Sequence, residues 1–422
     1  MRTLQIRRSF PHALLCIVAI TLLAPFTRAQ TADRFSGIAP KMQEFVDKGE
    51  ISGIVTLVAD KDKVLHLAAV GKSDVVSGRA MKTDDIFWIA SMSKPITATC
   101  IAILKDDGKL KFDDPLSKYL PEFASMTVQP GRGGRGGRGG RGAATAPTAA
   151  EPAQPAVPAS RPITLRDVMT HTSGLGELNN RQPHLTLAET SQLLAKQPLR
   201  SQPGERWGYS TAGIDILGRV VEVVSGMPFD RFLQTRVLDP LGMKNTSFWV
   251  PADQTQRFAH PYVLNADTHK LEETRITYLY NTDITDRQRP PLGGAGLFST
   301  AEDIGRFYQM TINHGSWNGK QILKPETLAE MTRNQIGTLT ARPGMPWGYG
   351  FCVIEDPSKM EANTMMAPGS FGHGGAFGTN SWVDIKKGVV YVLMLERDRM
   401  GNPDNSPMHQ VFQQVAADAL GK

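Results

Sequence analysis

Phe87-Trp88-Ile89-Ala90-Ser91-Met92-Ser93-Lys94-Pro95-Ile96 is the stretch on which the reading of this chain turns. Four apolar residues run into a serine, and a lysine follows three positions later. Ile96, Cys100, Ile103 and Leu104 then recur at helical spacing, and Gly108 ends the run. Pro95 falls in the first turn of that helix, where a missing amide hydrogen costs nothing. Ser91 and Lys94 at i and i+3 then share one helix face, with Cβ atoms about 5–6 Å apart. A serine hydroxyl is a poor nucleophile until a base takes its proton. A helix start also places positive partial charge where an anion would develop. The bland reading is a surface lysine beside an N-capping serine. The apolar residues before and after the pair argue for burial instead.

Two later stretches carry chemistry. Gly204-Glu205-Arg206-Trp207-Gly208-Tyr209-Ser210-Thr211 is a turn-rich run feeding a helix. Tyr209 suits proton transfer if a neighbouring lysine lowers its proton affinity, normally near about 10; otherwise it is a core tyrosine with a satisfied hydroxyl. Phe371-Gly372-His373-Gly374-Gly375-Ala376-Phe377-Gly378 packs many glycines into a strand-like run. That implies close backbone approach, to another strand or to a ligand, and backbone amides there can face an oxyanion. A lone histidine is by default a core residue.

Outward from these motifs the pattern is a sheet interrupted by helices. Residues 35–49 read as a helix, and Ile51–Val58 with Val64–Val70 as a hairpin across Ala59–Lys63. Helical stripes fall at Ile214, Leu217, Val221 and Val224, at Ile304, Phe307 and Tyr308, and at Val411, Val415 and Ala419. Trp347–Ile354, Ser381–Ile385 and Val389–Glu396 read as strands. The expected class is α/β of the α+β type: a sheet lobe built from both chain ends and a mostly helical lobe over about 106–340. A cleft between such lobes is a usual site for a small molecule.

In order and spacing, the three motifs resemble the serine β-lactamase-like superfamily, with its S-x-x-K, Y-x-N and K/H-x-G elements. The likeness is to the branch of class C β-lactamases, D-alanyl-D-alanine carboxypeptidases and family VIII esterases. The segments 108–123, 163–175, Pro240-Leu241-Gly242-Met243 and Gly293-Gly294-Ala295-Gly296-Leu297 are also family-like. The resemblance implies an antiparallel sheet flanked by helices and covalent acyl transfer without metal or organic cofactor. It implies Ser91 as nucleophile and Lys94 and Tyr209 as proton carriers. It places the oxyanion hole at the N–H groups of Ser91 and Ala376, substrate contacts at Thr211, His373, Gly374 and Gly375, and a structural role on His171. Two positions depart from the pattern. Thr211 stands where Asn is usual, and Gly374 where many β-lactamases and carboxypeptidases carry Thr. In those relatives the Asn holds a substrate amide and the Thr a substrate carboxylate. The expected activity is therefore hydrolysis of an ester, amide or small peptide bond. A true β-lactamase or carboxypeptidase is the alternative, and a non-hydrolytic sensor module the second.

Composition adds limits. Arg2, Arg7 and Arg8 precede the apolar run Ala13–Phe26, and Thr27-Arg28-Ala29 offers a cleavage site. Residues 1–29 read as a secretory signal peptide, which implies a periplasmic or extracellular protein without a stable membrane anchor, its folded body lying within 30–422. The formal charge of +6 is then misleading. The leader carries four arginines, the Arg/Gly/Ala/Pro-rich stretch 131–160 a net +3, and the remaining body −1. That stretch has no apolar periodicity and reads as a disordered insert. Its Arg-Gly-Gly units suggest nucleic acid only weakly, because no aromatics interleave. Partners are a small-molecule or peptide substrate. Cys100 and Cys352 read as separate buried thiols, although export permits a disulfide.

Overall fold

Alternation of apolar residues along β-strands decides how the sheet is buried, and the computed structural model shows both faces covered. It describes residues 1, 34–129, 155–178, 182–360, 365–401, 404 and 406–421. In chain order the helices are α1 (Ile38–Asp47), α2 (Ser93–Asp106), α3 (Leu165–Met169), α4 (Leu187–Ala195), α5 (Thr211–Ser225), α6 (Phe229–Leu233), α7 (Asp239–Leu241), α8 (Ala301–Ile312), α9 (Pro325–Met331) and α10 (Pro407–Leu420). The early strands are β1 (Gly53–Asp60), β2 (Val64–Gly71), β3 (Phe87–Trp88), β4 (Thr127–Val128) and β5 (Val157–Pro158). β6 (Tyr262–Leu264), β7 (Leu271–Glu273), β8 (Phe298–Ser299), β9 (Ser316–Trp317) and β10 (Lys320–Gln321) follow. β11 (Cys352–Val353), β12 (Phe371–Gly374), β13 (Asn380–Asp384), β14 (Val389–Met394) and β15 (Arg397–Asp398) complete the set.

The main sheet has the order β11-β12-β13-β14-β1-β2, antiparallel throughout. Val55, Leu57, Val390 and Val392 point to one face and join the core with α2 and α8. Ile54, Val58, Tyr391 and Leu393 point to the other and pack under α1 and α10. This is why β14 reads as an unbroken apolar run: a strand buried on both faces loses the alternation of a half-exposed one. The first and last helices cover the same face.

Three boundaries differ from the sequence reading. The helical lobe does not run to residue 340. α8 lies on the sheet, with Gly305 set against the Leu57 side chain, because its apolar stripe has the sheet face to cover. The insert read as 131–160 closes earlier: Val157–Pro158 pair with Thr127–Val128, and the first part of that stretch lies outside the described residues. Trp347–Ile354 is not one strand. Gly350, at φ 77°, turns the chain so that Trp347 bridges Cys352, and only Cys352–Val353 enter the sheet. Cys100 and Cys352 are free and buried. The leader region 2–29 lies outside the described residues, among which no helix is long and apolar enough to cross a membrane.

Candidate active site

β3 delivers the chain to Ser91. Trp88 pairs with Phe298 of β8, and the Ile89 N–H donates to the Leu297 carbonyl at 3.0 Å. Ala90 then takes φ 47°, a left-handed conformation rare outside glycine. Ser91 lies in a single 3-10 turn, Ala90–Met92, that opens into α2, and it is partly exposed. Ser93 faces inward. Its hydroxyl donates to the Ala90 carbonyl at 2.7 Å and accepts from the Leu297 N–H at 3.1 Å. Of the two serines in the motif, Ser91 therefore has the free side and Ser93 holds the turn.

Lys94 is completely buried. Its Nζ donates to Ser91 Oγ at 2.9 Å and to the Gly294 carbonyl at 2.6 Å, and it stands 4.7 Å from the centre of the Tyr209 ring. The Gly293–Gly294 turn is therefore part of the site. The Gly294 N–H donates to buried Asp215 at 2.8 Å, and Thr97 donates to the Gly293 carbonyl at 2.7 Å. A side chain at Gly294 would meet the Thr211 carbonyl at 2.6 Å. The glycine-rich run at 293–297 marked this turn in the sequence. Asp215 was hidden in the stripe of α5, where its neighbours are apolar.

The second motif starts α5. Ser210 caps it, accepting from the Gly213 N–H at 3.0 Å. Thr211 is buried against Gly294. The Glu177 carboxylate accepts from the Thr211 and Ala212 N–H groups at 2.5 and 3.3 Å, a favourable place for an anion at a helix start. His171, at φ 61°, fixes the loop in front: its Nδ1 accepts from the Ser210 N–H and its carbonyl from the Gly208 N–H. That is the structural place expected for it.

Tyr209 is held in aromatic company, with ring centres 4.5 Å from His171, 5.8 Å from Trp347 and 6.4 Å from His373. Burial pushes its phenol well above the ordinary value, while its bond to the Ser91 hydroxyl pulls the other way. The condition raised from sequence, a tyrosine whose proton affinity is lowered by a neighbouring lysine, is thus not met. The cation sits over the ring, but loss of water dominates. Tyr209 stays a neutral phenol, able to give a proton and take one in the same motion.

β12 supplies the opposite side. Gly375 lies so close to Ile89 that an added Cβ would stand 2.6 Å from the Ile89 carbonyl oxygen. The Gly375 N–H donates to the Thr379 carbonyl. Among the described residues, the next N–H, Ala376, and the Ser91 N–H are donated to no backbone carbonyl. Two unspent donors thus lie on segments that touch, an arrangement suited to an oxyanion. His373 is buried; its Nδ1 donates to the Gly374 carbonyl at 2.7 Å. Burial, reinforced by the Lys94 charge, holds its imidazole down to about 3, so it is neutral. Behind it, Arg342 pairs with Asp404 at 2.7 Å, and Asp404 also accepts from Asn380. Thr379 is fully buried with its hydroxyl against the Ile89 carbonyl. Among the described residues no cluster of side chains is suited to hold a metal ion.

This geometry has relatives. Residues 38–415 match the family model described as Beta-lactamase. Protein Rv1367c of Mycobacterium tuberculosis is 30% identical over 386 residues, 85% of this chain and 89% of that protein. Esterase EstB of Burkholderia gladioli is 29% identical, covering 81% of this chain and 85% of its own. The solved structure of EstCE1, described as a hydrolase with promiscuous acyltransferase activity, superposes with a TM-score of 0.71 at 26% identity, over 93% of this chain and 98% of that one.

Proposed function

The chain belongs to the Beta-lactamase family, a family of serine hydrolases, and on that premise we propose that it is an exported hydrolase that cleaves uncharged esters or small amides through an acyl-enzyme on Ser91. The observation that carries the proposal is the 2.9 Å contact between a fully buried Lys94 amine and a partly exposed Ser91 hydroxyl, beside a neutral tyrosine. Once Lys94 has lost its extra proton to solvent, Ser91 Oγ attacks the carbonyl carbon as the Lys94 amine takes the hydroxyl proton. The tetrahedral oxyanion accepts from the Ser91 and Ala376 N–H groups. The phenol of Tyr209 gives its proton to the departing alkoxide or amine and is refilled from Lys94. Water then attacks the ester carbon of acyl-Ser91, the same groups carry its proton back to Ser91, and the acid leaves.

The preference for uncharged substrates rests on what surrounds His373. The Lys of the family's third motif is here a neutral histidine whose N–H is already given to Gly374. Gly374 offers no hydroxyl. The nearby hydroxyl of Thr379 is turned into the core, and Arg342 is paired with Asp404. A carboxylate bound there would lack a matched donor, at a cost of about 1–3 kcal/mol, or roughly one to two powers of ten in kcat/KM. Rates on p-nitrophenyl butyrate and a chromogenic cephalosporin test this. The ester should win by about tenfold or more. A cephalosporin preference of that size would overturn it and favour a β-lactamase. Export, from the leader at residues 1–29, is tested by the amino-terminal sequence of the secreted protein, which should begin just after Ala29.

A further inference from the structure

Glu396 is a buried acid that the acyl-transfer steps do not use. It lies between β14 and β15 and is 2% exposed. Its Oε1 accepts from the Trp88 N–H at 2.5 Å, and its Oε2 has no hydrogen-bond partner among the described residues. Burial pushes its carboxyl well above the usual carboxylate range, which favours the neutral acid. A buried carboxyl with one partner is costly to keep, and that partner belongs to the segment leading to Ser91. The neighbouring residue completes the grip. The Arg397 N–H donates to the Phe377 carbonyl at 2.8 Å, and the Phe377 ring meets Trp88 edge-on at 4.9 Å. Residues 396 and 397 therefore hold two segments at once, three residues before Ser91 and one residue after Ala376.

We propose that Glu396 is a positioning residue for acyl transfer: its carboxyl clamps Trp88 and so sets the Ser91 N–H against the Ala376 N–H. The inference rests on the acyl-enzyme reading given above. A clamp on two oxyanion donors acts when the tetrahedral charge forms, so its loss falls on kcat and not on KM.

Two conservative variants test the clamp. Glu396→Gln keeps an oxygen at the same reach and replaces the acid O–H with an amide N–H. Glu396→Asp keeps the acid but is one methylene short. We measure kcat and KM on p-nitrophenyl butyrate, the affinity of a boronic acid that forms a tetrahedral adduct on serine, and Tm. Glu396→Asp should lose about tenfold or more in kcat, with KM within about twofold and boronate affinity falling in parallel. Glu396→Gln should stay within about threefold of the native enzyme on the same scale. The clamp is refuted if Glu396→Asp keeps its kcat, if its loss lies in KM alone, or if Glu396→Gln falls as far. Val390→Ala, a core cavity on β14 away from Trp88, controls for stability: it should lower Tm and leave kcat alone, and an equal loss of kcat there would also refute the clamp. If Glu396→Asp does not fold, Glu396→Met, which fills the volume without an acceptor, decides: a kcat within about threefold of native refutes the clamp, and a loss of about tenfold or more beside a retained Glu396→Gln supports it. Fluorophosphonate labelling of the native enzyme separates the two failures. Absence of label on Ser91 removes the acyl-enzyme itself, whereas label on Ser91 with indifferent Glu396 variants removes only the clamp.

Discussion

Gly375→Ala places one methyl group where the structure has no room. Gly375 does not adopt a positive φ, so alanine is acceptable to the backbone and the cost is steric. The added Cβ would stand 2.0 Å from Thr379 Oγ1 and 2.6 Å from the Ile89 carbonyl oxygen. Thr379 can swing its hydroxyl aside. The Ile89 carbonyl is main chain, so its segment or the end of β12 must yield by about 1 Å to restore a normal contact. Those two segments carry the Ser91 and Ala376 N–H groups. A 1 Å misplacement of reacting groups costs on the order of 10²-fold in rate, and overpacking costs about 1–3 kcal/mol of stability. The expected result is a loss of about 10²-fold in kcat/KM on p-nitrophenyl butyrate with a modest fall in Tm. Gly208→Ala, beside Tyr209 but with nothing within 4 Å of its Cβ, should stay near native activity. Activity of Gly375→Ala within about threefold of native would refute the idea that the strand and the nucleophile turn must touch.

Further outcomes follow from the same geometry. Lys94→Ala and Tyr209→Phe should each cut turnover by about 10²-fold or more while circular dichroism stays native; near-native turnover in either removes that residue from the chemistry. Burial holds His373 down to about 3 and His409 to about 4, and depresses His171 well below its ordinary value. Below about pH 6.5 the unfolded chain takes up protons that these folded imidazoles refuse. Stability should then fall as pH drops from 6.5 toward 4, by up to about 1.4 kcal/mol per pH unit for each histidine. Urea midpoints that stay flat from pH 7.5 to 5 would contradict this. Replacing residues 131–154 with a short turn should leave activity within a few-fold of native, because β4 and β5 already bring the flanking segments together; loss of soluble protein would show that the segment is structural.

The sequence made the frame of the site legible because its signals are local. Ser91 and Lys94 are three residues apart on one helix, and Tyr209 and His373 sit in glycine-marked turns and strands. The hairpin, the final helix and β14 were readable from apolar periodicity. What stayed hidden depends on partners far along the chain. Glu177 reaches a helix start 34 residues on, and Glu396 reaches Trp88 across 308 residues. The direction of the Tyr209 shift is left open by the sequence for the same kind of reason. Proximity to Lys94 follows from the motifs, but the loss of water around the phenol follows from Trp207, Trp347 and His171 packing on it. The end of the helical lobe was misplaced because the stripe of α8 says that the helix is buried, not against which lobe.

The central claim is that Ser91 forms the covalent bond. Incubating the purified protein with a fluorophosphonate, followed by intact mass and peptide mapping, tests it most directly. A single adduct should appear on the peptide carrying Ser91, and Ser91→Ala should take up none. An adduct on Ser93 or Ser173, or labelling of Ser91→Ala equal to that of the native protein, would contradict the account.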